Sequence, residues 1–123
     1  MTDDTILLRQ VHPSFADNGI PTSQAFVPFP KDDGKLSVDD GDLTTAEAAF
    51  KYFTEVLKFK SIGTWGITCG EVEQSKLTSS SDPLKDNPSH AVIDFSDLTE
   101  KECRKLAKKL KADANKRGRL HPA

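Results

Sequence analysis

The chain has 123 residues, enough for one domain whose core needs neither a metal nor a disulfide. With 36% hydrophobic and 29% charged residues it falls in the globular range, and no apolar run has the length needed to cross a bilayer. The net charge of −2 is unevenly spread: residues 100–119 hold nine Lys/Arg against three acids, a charge of +6 that leaves −8 on the remainder.

The opening MTDDTILLRQ is acidic and then apolar, whereas a secretory leader is basic first, so none is expected. Thr5–Val11 reads as a strand. Pro13, Gly19 and Pro21 break the next stretch into turns. Gln24–Phe29 reads as a second extended piece, which Pro28 and Pro30 confine to a sheet edge or outside a sheet. Lys31–Gly34 predicts a turn, Lys35–Val38 a short strand and Asp39–Asp42 an acidic turn. Thr44 and Glu47 have capping-box spacing, and Ala46, Ala49, Phe50, Phe53, Val56 and Leu57 then form one apolar helical stripe, ending near Lys58–Lys60. Thr64–Cys69 predicts a central strand in which Gly66 marks close backbone approach. Thr68 and Glu71 again have capping spacing, 77–88 reads as a mobile polar loop, and Ala91–Phe95 predicts another strand. Thr99 and Glu102 open the last helix, Cys103, Leu106, Ala107, Leu110 and Ala114 line its apolar side, and Gly118 stops it before a loose tail at 119–123. The expectation is a single α+β domain: a small, mostly antiparallel sheet with two main helices, about 45–59 and 99–117, on one face.

Arg9 and His12 lead the candidates for chemistry. An arginine fork holds phosphate or carboxylate, and a histidine exchanges protons near neutral pH. Pro13 favours a strand end before His12, which releases the two side chains from opposite faces. Ser14, Ser23 and Gln24 follow, but no GxSxG elbow supplies a nucleophile's setting, and Thr22–Ser23 after Pro21 are ordinary turn formers. His90 and Asp94 share one face of their strand and form a possible acid–base couple, and His12 with His90 is the one two-histidine combination outside the tail. His121 is expected to be idle. The histidines lack zinc spacing, and the acidic turns at Asp32–Gly34 and Asp39–Asp42 lack the register of a calcium loop, so no metal and no cofactor are expected. Cys69 and Cys103 lie far apart without ligand spacing, which predicts two reduced thiols in a cytoplasmic setting, with Cys103 in a helix core.

The succession LLRQVHPSF, PTSQAFVPFPKDDGKLSV, SHAVIDF and ANKRGRLH resembles a group of small uncharacterised bacterial proteins with the same motif order. The resemblance covers most of the chain and implies a bacterial cytoplasmic setting; it carries no catalytic residue across. The Arg–His–Ser order is also similar to that of ADP-ribosyltransferase-like folds, in which Glu71 would stand as the late acid, but no family signature surrounds it.

Two functions follow as expectations. The first is an accessory binding module whose basic helix, through Arg104, Lys105, Lys108, Lys109, Lys111 and Lys116, meets an acidic protein or nucleic acid. No aromatics interleave with these lysines, which disfavours stacking on single strands. The second is a small enzyme acting on a nucleotide, NAD or RNA, with Arg9 on phosphate, His12 and His90 exchanging protons, and Ser23 and Gln24 orienting substrate. It requires Arg9, His12, Ser23 and His90 to line one cavity.

Overall fold

The computed structural model describes residues 1–123. In chain order the elements are strand β1 (Ile6–Gln10), a hairpin of β2 (Ala16–Asp17) and β3 (Ile20–Pro21), strand β4 (Lys35–Asp40), helix α1 (Ala46–Lys51), strand β5 (Thr64–Thr68), helix α2 (Cys69–Gln74), strands β6 (Thr78–Ser81) and β7 (His90–Asp94), and helix α3 (Glu100–Arg117). Five strands form one sheet in the order β5-β1-β4-β7-β6, with every neighbouring pair antiparallel. The α+β class is therefore as expected. No helix is long and apolar enough to cross a membrane.

Side chains alternate across a sheet. Leu7, Leu36, Val38, Ile67, Ala91 and Ile93 point to one face, where Ala107, Leu110 and Ala114 of α3 join them with Phe26 and Phe95 in a single core. Each large side chain buried there contributes about 1.5–3 kcal/mol. Leu8, Gln10, Ser37, Asp39 and His90 alternate to the other face and share a cavity wall with Ala49, Tyr52 and Phe53. The helices that follow β4 and β7 thus cover opposite faces, rather than one as expected. Consecutive apolar residues in β1, Leu7 and Leu8, leave both sides of that strand in need of cover, and both are buried.

Several local expectations shift. The first helix is capped by Thr45, whose hydroxyl accepts from the Ala48 N–H at 3.1 Å, one residue later than the Thr44–Glu47 spacing predicts. It stays α-helical only to Lys51; Tyr52–Val56 adopt the wider π geometry, and the Leu57 N–H reaches back to the Tyr52 carbonyl at 3.0 Å. The Thr54 hydroxyl donates to the Phe50 carbonyl at 2.9 Å, the back-bonding by which Thr loosens a helical ladder. Gln24–Phe29 is not extended: Ser23–Phe26 forms a 3₁₀ turn. Asp39 and Asp40 belong to β4 rather than to a turn. Cys69 opens α2 instead of finishing a strand. Within 77–88, Thr78–Ser81 pairs along β7 as an edge strand. The tail is tied to β5, with Leu120 N–H on the Thr64 carbonyl (2.8 Å) and Thr64 N–H on the His121 carbonyl (2.7 Å). The Thr68–Glu71 and Thr99–Glu102 capping boxes form with both of their bonds.

Candidate functional site

The middle of the sheet is incompletely zipped. β1 pairs with β5 along all five residues, from Ile6–Thr68 to Gln10–Thr64, but with β4 only at Leu7–Asp40 and Leu8–Asp39. Beyond Leu8 a side chain takes over from the ladder. Arg9 donates its Nε–H to the Ala25 carbonyl and an Nη1–H to the Ser37 carbonyl, each at 2.9 Å. Those bonds tie the 3₁₀ turn and β4 to β1. None of the ion pairs in the protein involves Arg9. Burial pushes its guanidinium pKa down to about 10, with Asp32 pulling it back at longer range, so the group stays charged at neutral pH.

Two adjoining cavities open at this gap. The larger, about 470 Å³, is lined by Arg9, Gln10, His12, Lys31 and Lys35 together with Phe15, Phe29, Phe53 and Phe59. The smaller, about 250 Å³, lies towards α1 and His90. They share Arg9, Gln10, Ser37, Phe53 and Phe59, and so form one groove across the gap. Aromatic rings line its mouth: His12 lies 6.0 Å from Phe15 and Phe15 6.0 Å from Phe29, while Phe53 and Phe59 stand 5.3 Å apart. The π segment carries Phe53 and precedes Phe59, so the widened helix shapes this wall. Such segments occur often at functional sites.

Of the residues singled out by sequence, Arg9 and His12 do converge on the larger cavity, and Ser14 joins them. His12 Nδ1 accepts the Ser14 N–H at 3.0 Å and meets Ser14 Oγ at 2.8 Å, so the neutral ring carries its proton on Nε2. Ser23 sits half-buried in the 3₁₀ turn and lines neither cavity, and Gln24 is exposed beside it. His90 lines the smaller cavity, with Nδ1 at 2.9 Å from the Asp82 carbonyl and 3.2 Å from Asp82 Oδ2, two acceptors that place a proton on that nitrogen. His12 lines the larger half of the groove and His90 the smaller, so neither cavity by itself brings the two rings together. The His90–Asp94 couple also fails, because Asp94 is engaged by Ser96, whose hydroxyl and N–H hold the Asp94 carboxyl below its usual range.

Glu71 is not a free acid. Burial acts to raise its pKa, but bonds from Arg117 and from the Thr68 N–H outweigh that and lower it. Cys69 is buried, and its sulfur is 3.5 Å from the Ser79 hydroxyl. Cys103 is half-buried against the core, and burial, with Glu102 and Glu100 nearby, pushes its thiol pKa up. No group of three or more His, Cys, Asp or Glu side chains converges as metal ligands. His121 has a structural place: its backbone closes on β5 and its ring lies 5.0 Å from Phe50.

Sequence reasoning missed Gln10, Lys31, Lys35 and the phenylalanine walls. The run FPKDDGK held the signal, an aromatic and two lysines around a tight turn, but its Asp-Gly pair reads first as a turn.

The last helix presents a second candidate surface. Lys101, Lys105, Lys108 and Lys116 are exposed and fall at helical spacing on the side away from Ala107, Leu110 and Ala114. From Lys101 to Lys116 the line extends about 22 Å at 1.5 Å per residue. No carboxylate of the protein pairs with any of these four, nor with Lys109 or Lys111. Arg104 is bound to Glu100 at 2.8 Å, and Lys109 Nζ reaches the Gln74 carbonyl at 3.2 Å. Arg117 faces inward, donating to the Gly66 carbonyl and gripping both oxygens of Glu71.

No protein-family model, curated protein or solved structure matches this chain.

Proposed function

We propose that the protein is a small bacterial cytoplasmic accessory module that engages an acidic partner, protein or nucleic acid, through the exposed lysine line of α3. The observation that carries this reading is that Lys101, Lys105, Lys108 and Lys116 have no intramolecular carboxylate partner. Their charge is available to an incoming polyanion, while the acidic remainder of the molecule repels it and so fixes its approach. Arg104, paired with an exposed Glu100 that competes for it, contributes less than the sequence alone suggests.

The alternative, an enzyme using Arg9, His12, His90 and Ser23 on a nucleotide, NAD or RNA, keeps only its Arg9–His12 half in one cavity. Its remaining merit is an anion-binding arginine. The lead reading is tested by fluorescence anisotropy with a labelled nucleic-acid duplex and a labelled poly-glutamate peptide. The expected result is saturable binding of at least one, weakened at least tenfold by Lys101→Glu, Lys105→Glu and Lys108→Glu together. Equal binding by the folded triple variant removes the reading.

A further inference from the structure

We infer that the groove at the β1–β4 gap is a binding site for a small organic anion that joins a carboxylate or phosphate to a flat ring. Four independent features converge there. Arg9 is held by two backbone carbonyls and by no carboxylate, so its bonds fix the fork in place without cancelling its charge. Its Nη2 donates to nothing in the protein. Gln10, 8% exposed, has its Oε1 occupied by the Ser61 and Thr64 hydroxyls at 3.0 Å, while its Nε2 is buried without a partner. A buried amide donor of this kind costs free energy unless something accepts from it, and Gln10 lines both halves of the groove.

Lys31 and Lys35 add two further cations to the larger cavity, against Asp32 as its one acid, while Asp39 in the smaller half is held by Asn87 and Ser89. Lys31 Nζ stands 6.0 Å from the centroid of Phe29, which is itself 41% exposed. Across the opening Phe59 is 57% exposed although it contacts Phe53. Exposed rings of this size beside unpaired cations suit a ligand that is apolar and flat at one end and anionic at the other. The 470 Å³ of the larger cavity lies in the range of about 300–1,000 Å³ usual for small-molecule sites. Lowering of the Arg9 pKa to about 10 by burial agrees with a place where water screens charge poorly.

The anion sits on the free Nη2 of Arg9 beside the enclosed Gln10 amide, the two lysines steer it in, and the ring lies against Phe29 and Phe59. His12, with its proton on Nε2, adds a donor at the same mouth. This site is independent of the lysine line on α3, and either can fail without the other.

The test is a titration of the ¹⁵N-labelled full chain with phenyl phosphate and with benzoate, alongside inorganic phosphate and benzyl alcohol. At least one of the two aromatic anions is expected to shift the Gln10 side-chain amide and the Arg9 Nε–H saturably. It should do so at concentrations at least tenfold below those at which inorganic phosphate or the neutral alcohol acts. Comparison of the two aromatic probes assigns the anion as phosphate or carboxylate. Because Arg9→Met also strips donors from Ala25 and Ser37, the decisive variant is Lys31→Glu with Lys35→Glu, two exposed positions. It should weaken binding at least tenfold with unchanged thermal unfolding, whereas reversal of Lys101, Lys105 and Lys108 should leave it unaltered. Absence of a saturable shift, equal response to benzyl alcohol, or indifference to the Lys31/Lys35 reversal overturns the inference.

Discussion

At the scale of single residues, charge matters where it is partly shielded from water and paired. Arg117 and Glu71 illustrate it: their side chains are 26% and 21% exposed, and the guanidinium also satisfies the Gly66 carbonyl, linking α3, α2 and β5. Arg117→Ala leaves Glu71 and that carbonyl without their donor, so it should lower stability by about 1–3 kcal/mol in chemical denaturation. Lys116→Ala next to it, exposed and unpaired, should stay within about 0.5 kcal/mol. A pH dependence follows from the same pair. The Glu71 pKa is lowered on folding from its ordinary 4.5, so its contribution is complete above pH 4.5 and is lost as the pH falls through the depressed value. Asp113, whose pKa is raised by burial and by Glu71, acts with the opposite sign and gains stability on protonation. Acid titration of stability should therefore be shallower in Glu71→Gln than in the wild type and steeper in Asp113→Asn. Identical slopes in all three would show that neither carboxyl is perturbed. Residue identities were legible here, but their pairing was not. Arg117 read as one more cation of a basic helix, and only the packing of α3 across β5 turns it towards Glu71, 46 residues away in sequence.

At the scale of elements, local grammar predicted well wherever a few neighbouring residues decide the outcome. Thr68–Glu71 and Thr99–Glu102 close both bonds of their capping boxes, whereas the same spacing at Thr44–Glu47 loses to a cap by Thr45. Thr99→Ala should cost about 1 kcal/mol, measured by equilibrium unfolding, and a loss near zero would mean that the end of α3 frays in solution. Gly66 was expected to mark a close backbone approach, whereas what crowds it is side chains: a Cβ built there lies 2.6 Å from Ile6 Cγ2 and 2.7 Å from Leu120 Cδ1. Gly66→Ala must therefore displace the Ile6 and Leu120 side chains, and its unfolding midpoint should fall below that of a surface control such as Ser80→Ala. Elements set by tertiary demand were less legible. The Asn18–Gly19 pair carried a hairpin signal, with φ of 52° and 78°, yet the strands it joins are only two residues long and too short for an alternating pattern. The π turn at Tyr52–Val56 has no signature in the apolar stripe, which suits a helix of either width. Thr78–Ser81 lacks apolar residues altogether and pairs with β7 through its backbone at the sheet edge.

For the molecule as a whole, the sequence showed the charge asymmetry directly, but one feature of α3 and one of the sheet decide what that asymmetry can do. The first is that α3 buries only a narrow stripe, which leaves Lys101, Lys105, Lys108 and Lys116 outside and unpaired. The second is the gap between β1 and β4, which strand patterns cannot reveal because register is a property of two segments at once. That gap gathers Arg9 and Gln10 with His12 at one end of the groove and His90 at the other, and leaves Ser23 outside it. The two surfaces divide the positive charge of the protein between a long exposed face suited to a polyanion and a small open groove suited to a single anion.

The central claim is best tested through the salt dependence of partner binding. Affinity for the labelled duplex or the acidic peptide should fall steeply as ionic strength rises from about 0.05 to 0.2 M, because bound lysines release or replace counterions. The variant with Lys101, Lys105 and Lys108 reversed should bind far more weakly and lose most of that dependence. A chain that binds neither polyanion at the lowest salt, or whose reversed form follows the same curve as the wild type, contradicts the account.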